Sequence, residues 1–421
     1  MSRPTDLRVN GERLAARLDE LGTIGAVRGD DGAWGCARLA LTDADRDGRD
    51  LVVQWMRDLG MSVSIDAIGN VVAVLPGTDP LAAPVMTGSH IDTVRTGGRF
   101  DGNLGVLAGL EVVETILAAG VRTVRPLAVA FFTDEEGARF QPDMLGSLVY
   151  VGGLSLEEAL DVRAADDHAR LGDELERIGY AGPTPCPAAA APHAFVELHI
   201  EQGPVLEDEG VTIGVVTGVQ GISWTELTIT GQSAHAGTTP MRLRRDPGVV
   251  AAALNVGVRG IATEMGGSQV ATVGRCEFTP NLVNVVPSKV VLTVDLRNTD
   301  ETLLREAERR FVALCESLAA DEGVTIERRT LARFEPVDFD ATMIDRVEAH
   351  ARSLGLTHMR MPSGAGHDAQ MLARVCPTSM IFVPSVNGLS HNIAEFTATA
   401  HLQAGADVLL RMVLELAGEG E

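Results

Sequence analysis

Residues 88–106 read GSHIDTVRTGGRFDGNLGV, and the reading of this stretch decides the fold. His90 and Asp92 stand two apart, so at the end of a strand their side chains point the same way. His90 can ligate a metal through one ring nitrogen while Asp92 accepts the other ring N–H and fixes the tautomer. Asp101 follows through a run containing Gly97 and Gly98, with Gly102 and Gly105 just beyond it. Glycines there let the chain turn tightly and bring Asp101 back beside His90. Taken alone, the stretch also reads as a strand, a glycine-rich turn and a helix start carrying solvated carboxylates.

Outward from it, residues 85–87 lead in as a short buried strand and 105–119 lead out as a helix by their apolar spacing. Residues 126–133 (PLAVAFFT) are a continuous apolar run, the pattern of a central strand covered on both faces. That run ends in Asp134-Glu135-Glu136-Gly137, and a third apolar strand, 195–200, ends in His199-Ile200-Glu201-Gln202. In open α/β sheets, sites form at the carboxyl ends of strands. Earlier in the chain, 10–22 and 42–60 read as helices, capped by Asn10 and by Thr42 or an Asp, and 61–75 as a hairpin turning at 67–70. Residues 155–180 read as helical and polar, and the Pro/Ala-rich 181–194 as a surface connector.

After Gly210 the texture changes. Strands are expected within 211–232, at 269–279, 289–297 and 323–331, with helices at 246–263 and 299–320 between them. A βαββαβ unit fits that order, so 215–330 reads as a domain inserted into one formed by 1–214 and 331–421. The α/β pattern then resumes with a helix at 341–354, a glycine-rich loop at 361–370, a strand at 380–384 and a final helix at 397–416.

The 421 residues suit two or three domains. The charge of −23, from 58 acidic and 35 basic residues, argues against nucleic acid or an anionic membrane as partner. Five scattered cysteines without C-x-x-C spacing fit reduced thiols. Arg3, Asp6, Arg8 and Glu12 interrupt any N-terminal apolar run, and no apolar stretch reaches the roughly 18 residues of a membrane span. A soluble cytoplasmic protein is expected.

His90, Asp101, Glu135, Glu136, His199 and His391 collect at strand ends, and such histidines and carboxylates suit two divalent ions bridged by one carboxylate. A carboxylate beside the ligands serves as general base, and Glu135 and Glu136 can divide those roles. Individually each has a plainer reading, a solvated acidic turn or a hydrogen-bonded loop histidine. His168, His193, His350, His358 and His401 join no such cluster, and Asp368 and Gln370 read as helix-start residues.

Together, GSHIDTV (88–94), GGRFDG (97–102), TDEEGARF (133–140), HIEQGP (199–204), GQSAHAGTTPM (231–241), NVVP (284–287), PSGAGHDAQ (362–370) and LSHN (389–392) resemble the di-metal aminoacylase/carboxypeptidase superfamily. The resemblance is to its N-carbamoyl-L-amino-acid hydrolase branch, which includes β-ureidopropionase and allantoate amidohydrolase. FDG around Asp101 and HIEQG at His199 distinguish this branch from the ordinary peptidases.

The resemblance implies an α/β catalytic domain, a mixed sheet covered by helices, with an inserted α+β ferredoxin-like domain acting as lid and homodimer interface. It implies two divalent ions per subunit, zinc first and manganese, cobalt or nickel as alternatives, on His90, Asp101, Glu136, His199 and His391, with Asp101 bridging. Glu135 would be the general base, taking a proton from the attacking water and passing it to the leaving nitrogen. Asp92 would orient His90, and His235, on the lid of the same or the partner subunit, would stabilise the oxyanion. Gln202, Asn284 and Arg297 would hold the substrate, Arg297 by a bidentate pair to its carboxylate. For His367, substrate contact and backbone support both stay open, as do a turn-bonding role for His235 and a surface ion pair for Arg297. The implied reaction is hydrolysis of the carbamoyl C–N bond of a ureido acid. The rivals are an allantoate, N-acyl amino acid or dipeptide hydrolase, and a non-catalytic metal- or amino-acid-binding dimeric scaffold. Retention of Glu135 beside the whole ligand set argues against the scaffold.

Overall fold

Four strands that are buried at every position form the middle of the larger sheet: Val85–His90, Leu127–Phe132, Ala194–Ile200 and Thr378–Val383. They run parallel, as strands covered on both faces do. In a computed structural model, which describes residues 7–30 and 32–418, the sheet order is Ile213–Val219, Thr378–Val383, Ala194–Ile200, Val85–His90, Leu127–Phe132, Val71–Leu75, Ser62–Ile65. The flanking strands are antiparallel to the central four, so the sheet is mixed. Arg3 and Asp6, read above as interrupting any N-terminal apolar run, lie outside the described residues.

The helix that follows the central motif, Asn103–Ala118, is apolar almost all round and buried on most of its faces, as such a helix must be. Gly105 permits its close approach: a Cβ there would fall 2.7 Å from Leu198 O. The helices Gly11–Gly22 and Asp43–Asp58 start at Asn10 and Thr42, whose side chains accept from Arg13 N and Asp45 N.

Two local readings change. Residues 155–180 are not one helical stretch but the short helices Leu156–Leu160 and Leu171–Ile178. Between them the chain reverses at His168, whose φ is +61°, and Ala164 accepts from His168 N while donating to Ala169 O. The 361–370 loop begins as strand, since His358–Ser363 pairs with Ile213–Val219.

The chain divides into two units, one up to Thr217 and from Phe339 onward, the other Gly218–Asp338. These limits replace 214/215 and 330/331 for a physical reason. Val215 and Val216 still pair with Ile381 and Met380, and the Thr325–Phe334 strand keeps pairing with Gly221–Thr230 as far as Phe334.

The smaller unit is a βαββαβ sandwich of ferredoxin-like order, Val270–Thr279, Lys289–Asn298, Gly221–Thr230, Thr325–Phe334, all neighbours antiparallel. Leu227, Ile229, Val290, Leu292 and Val294 alternate onto one face and meet Val250, Leu254, Leu304 and Phe311 of its two helices. Asp246 and Asp300 cap those helices, Pro247–Met265 and Glu301–Glu322. A short ribbon, Ala234–His235 against Val285–Val286, stands apart from the sheet.

Candidate metal centre and active site

His90 is the last residue of its strand, His199 the last but one of the neighbouring strand, and Glu135 follows closely after a third. Parallel strands end on the same side, which gathers these side chains. Asp101 is the shared member of two groups whose donor atoms all lie within 4.8 Å of one another: His90, Asp101 and His199, and Asp101, Glu136 and His391. Asp101 Oδ1 lies 3.2 Å from His199 Nε2 and 3.7 Å from His90 Nε2. Its Oδ2 lies 3.5 Å from His391 Nε2, which is 3.2 Å from Glu136 Oε2. One carboxylate thus turns an oxygen to each group, as a bridging ligand must.

Glu135 stands beside these groups and belongs to neither. Its Oε2 is 3.3 Å from His90 Nε2, and the side chain is buried. Asp92 holds the centre differently from the sequence expectation. His90 Nδ1 donates to the Asp92 backbone carbonyl at 3.0 Å, while the Asp92 carboxylate is 3.9 Å from that nitrogen. The carboxylate instead accepts from the backbone N–H groups of Glu135 and Glu136, each at 3.3 Å. His199 Nδ1 donates to Ile200 O at 2.8 Å, so both rings turn Nε2 toward Asp101. Gly102 makes this packing possible: its φ is +64°, and a Cβ would fall 2.3 Å from His90 Cε1.

The electrostatics are those of a cation site. Burial, then the charges of Asp368 and Glu136, pushes the Glu135 carboxyl well above its usual range. Burial, then Asp45 and Glu136, lifts Asp92 to about 8. Asp101 goes the other way: burial opposes ionisation, but the hydrogen bond and charge of His199, with the charges of His90 and His391, hold it below the usual range. Burial would depress His199, yet Asp101 raises it to about 9, and the hydrogen bond to Glu136 raises His391 to about 9. Protons therefore gather among these carboxylates where cations would otherwise balance them. Glu136 Oε1 is buried without a hydrogen-bond partner among the described residues, an oxygen left for an ion. The nitrogen and oxygen donors fit divalent zinc, manganese, cobalt or nickel.

Gln202 Nε2 donates to Asp101 Oδ2 at 2.8 Å, and its buried Oε1 has no partner among the described residues. His367 lies beneath the cluster, its ring 4.5 Å from that of His199 and its Nε2 2.9 Å from Ser363 Oγ. Burial, then the His199 charge, pushes its pKa well down. In the smaller unit, the ribbon brings His235 close in chain path to Asn284, since Ala236 N donates to Asn284 O at 3.0 Å. His235 Nδ1 accepts from Gly237 N and Thr238 N, which leaves Nε2 as the N–H donor of the ring. Arg297 forks onto Asp295, with Nε to Oδ1 at 3.1 Å and Nη2 to Oδ2 at 2.9 Å.

Several participants escaped the sequence reading. Ser390 Oγ lies 2.8 Å from Asp101 Oδ2 and 3.1 Å from Glu395 Oε2. Glu395 Oε1 accepts from Phe100 N and Asp101 N. Glu197 accepts from Ser89 Oγ at 2.6 Å and Ala369 N at 2.8 Å, and joins His199 and His367 in a third buried group. The spacing Glu197-x-His199 on a strand places both on one face, a signal present in the sequence. His350 pairs with Glu415 at the surface, outside this centre.

A family model described as "Peptidase family M20/M25/M40" matches residues 86–415. The chain is 45% identical to an N-carbamoyl-L-amino-acid amidohydrolase of Rhizobium meliloti, covering 97% of each chain. It is 37% identical to the allantoate amidohydrolase of Escherichia coli K12, over 92% of this chain and 95% of that one. A crystal structure of an amidase of the hydantoinase/carbamoylase family from Burkholderia multivorans superposes with a TM-score of 0.92 at 44% identity, covering 98% of each chain. This chain belongs to the M20/M25/M40 peptidase family, in its hydantoinase/carbamoylase branch.

Proposed function

We propose that this protein is a metal-dependent amidohydrolase that cleaves N-carbamoyl-L-amino acids to the amino acid, ammonia and carbon dioxide. The observation that carries the reading is Asp101 turned between two histidine-bearing groups, with the buried, unshared carboxylate of Glu135 beside them. The 45% identity to a carbamoyl-amino-acid amidohydrolase supports this choice of substrate. His90 and His199 on one side, Glu136 and His391 on the other, and Asp101 between would hold two divalent ions. When bound, such ions polarise a carbonyl and make water acidic.

Glu135 Oε2 takes the proton of the attacking water and returns it to the leaving nitrogen. Its raised pKa suits a group that must both accept and give a proton. Asp92 holds the Glu135–Glu136 backbone in place through its carboxylate. Gln202 anchors Asp101 with its amide nitrogen and keeps its oxygen for a substrate N–H. His235 offers Nε2–H to the developing oxyanion. Asn284 and Arg297 bind the substrate carboxylate, and Asp295 keeps the guanidinium oriented until they do.

The exposed Met241, Leu243, Leu282 and Val283 surround the His235–Asn284 ribbon, which supports pairing of two copies through the inserted unit. Five unpaired cysteines fit a reducing cytoplasm, and among the described residues no helix is long and apolar enough to cross a membrane. Ammonia release should be measured on ion-loaded protein with N-carbamoyl-L-amino acids, N-carbamoyl-β-alanine and allantoate, and free amine with an N-acetyl amino acid. Preference for a carbamoyl-L-amino acid is expected. Preference for allantoate would reassign the substrate, and silence across the panel with ions bound would refute catalysis.

A further inference from the structure

Arg38 is fully buried, yet among the described residues no carboxylate lies within 4.0 Å of its guanidinium. An isolated buried cation is costly, so this one needs other compensation. It receives it from neutral oxygens. Nη1 donates to Leu21 O at 2.9 Å and Ile24 O at 3.0 Å and touches Cys36 Sγ at 3.3 Å. Leu21 O belongs to the last turn of the Gly11–Gly22 helix, the end whose dipole favours a cation. Nε donates to Ile91 O at 2.8 Å and Nη2 to Asn103 Oδ1 at 2.7 Å. The backbone joins in, with Arg38 N bonding Thr93 Oγ1 and Thr93 N bonding Arg38 O.

These last contacts span the loop that carries the proposed ligands. Ile91 directly follows His90. Asn103 donates from its backbone N–H and from Nδ2 to Asp101 O, at 2.6 and 3.0 Å. A space is kept for the arginine: a Cβ on Gly48 would fall 2.8 Å from Arg38 Cδ. Arg38 lies before residue 86, where the family match begins.

We infer that Arg38 is a positioning residue for the ion site, closing the 91–103 loop from behind so that His90 and Asp101 stand ready before any ion arrives. The inference rests on the metal-centre reading above. The test compares ion-stripped wild type, Arg38→Met, Arg38→Lys and Asn103→Ala. Cobalt(II) affinity is read by competition with a chromophoric chelator, the cobalt absorption band is recorded, and the melting temperature of ion-free protein is followed by circular dichroism.

Folded Arg38→Met is expected to bind cobalt about 10- to 100-fold more weakly with an altered band, the range typical when a partner that orients ligands is lost. Arg38→Lys, which keeps the charge and loses the fork, falls between. Asn103→Ala, which leaves the guanidinium in place, weakens binding in the same direction, and it alone decides if Arg38→Met does not fold. Wild-type affinity and band in the folded variants, with only the melting temperature lowered, would make Arg38 a purely structural residue and overturn the inference. Failure of the wild type itself to bind cobalt would instead overturn the metal-centre reading, and this inference with it.

Discussion

Replacing Glu395 with alanine should loosen the bridging carboxylate without touching an ion ligand. Glu395 is 2% exposed, and its Oε1 accepts from Phe100 N at 3.0 Å and Asp101 N at 3.1 Å. Neither amide has another acceptor among the described residues. Truncation strands two buried donors at about 1–3 kcal/mol each, so roughly 2–6 kcal/mol together. In a domain of this size one kcal/mol moves the melting temperature by about 2–4 °C, which gives a fall of about 4–24 °C. The mutation also frees Ser390, which bonds both Glu395 and Asp101 Oδ2, so ion content should fall as well. Glu395→Gln keeps an oxygen for the two amides and should lose only about 0.5–1.5 kcal/mol. Calorimetry on ion-free protein and elemental analysis of reconstituted protein measure both effects. An unchanged melting temperature and ion content in Glu395→Ala would refute the reasoning.

Glu135→Gln should lower turnover by roughly 10²- to 10⁴-fold with ion content unchanged, since it removes the proton acceptor and no ligand; surviving turnover would show the base to be misassigned. Gly102→Ala puts a side chain at φ +64° and against the His90 ring, so the protein should lose about 1–2 kcal/mol in stability and the ion held by His90 and His199; full ion occupancy in this variant would contradict the packing described. His199 and His391 are raised to about 9 in the ion-free protein, so below that pH each must release a proton before it can ligate. Ion affinity should therefore rise with pH up to about 9 and flatten above it, and chelator competition that shows no pH dependence would remove these two residues from the ligand set.

The sequence by itself determined what depends on local pattern. Continuous apolar runs such as 127–132 can only be strands covered on both faces, and whatever follows them must lie at the strand ends. That placed His90, Glu135, Glu136 and His199 before any contact was known. Asn10, Thr42, Asp246 and Asp300 announced their helices because capping is a bond between neighbours in sequence. Alternation alone sufficed for the ferredoxin-like unit, where Leu227 and Ile229 repeat at period two.

Tertiary structure decided what depends on distant backbone. Asp92 fits a His-x-Asp pair, but the closer acceptor for His90 is its own carbonyl, and its carboxylate turns to amides more than forty residues away. Glu395 and Ser390 act on Asp101 across nearly three hundred residues, and Arg38 reaches Asn103 across 65. The limits of the inserted unit moved because strand pairing, which the chain's texture does not record, carries on to Phe334. A residue's type and spacing fix which face of an element it occupies. Which partner waits there is set by how the elements pack, because a hydrogen bond is decided by a few tenths of an ångström between groups that the sequence keeps far apart.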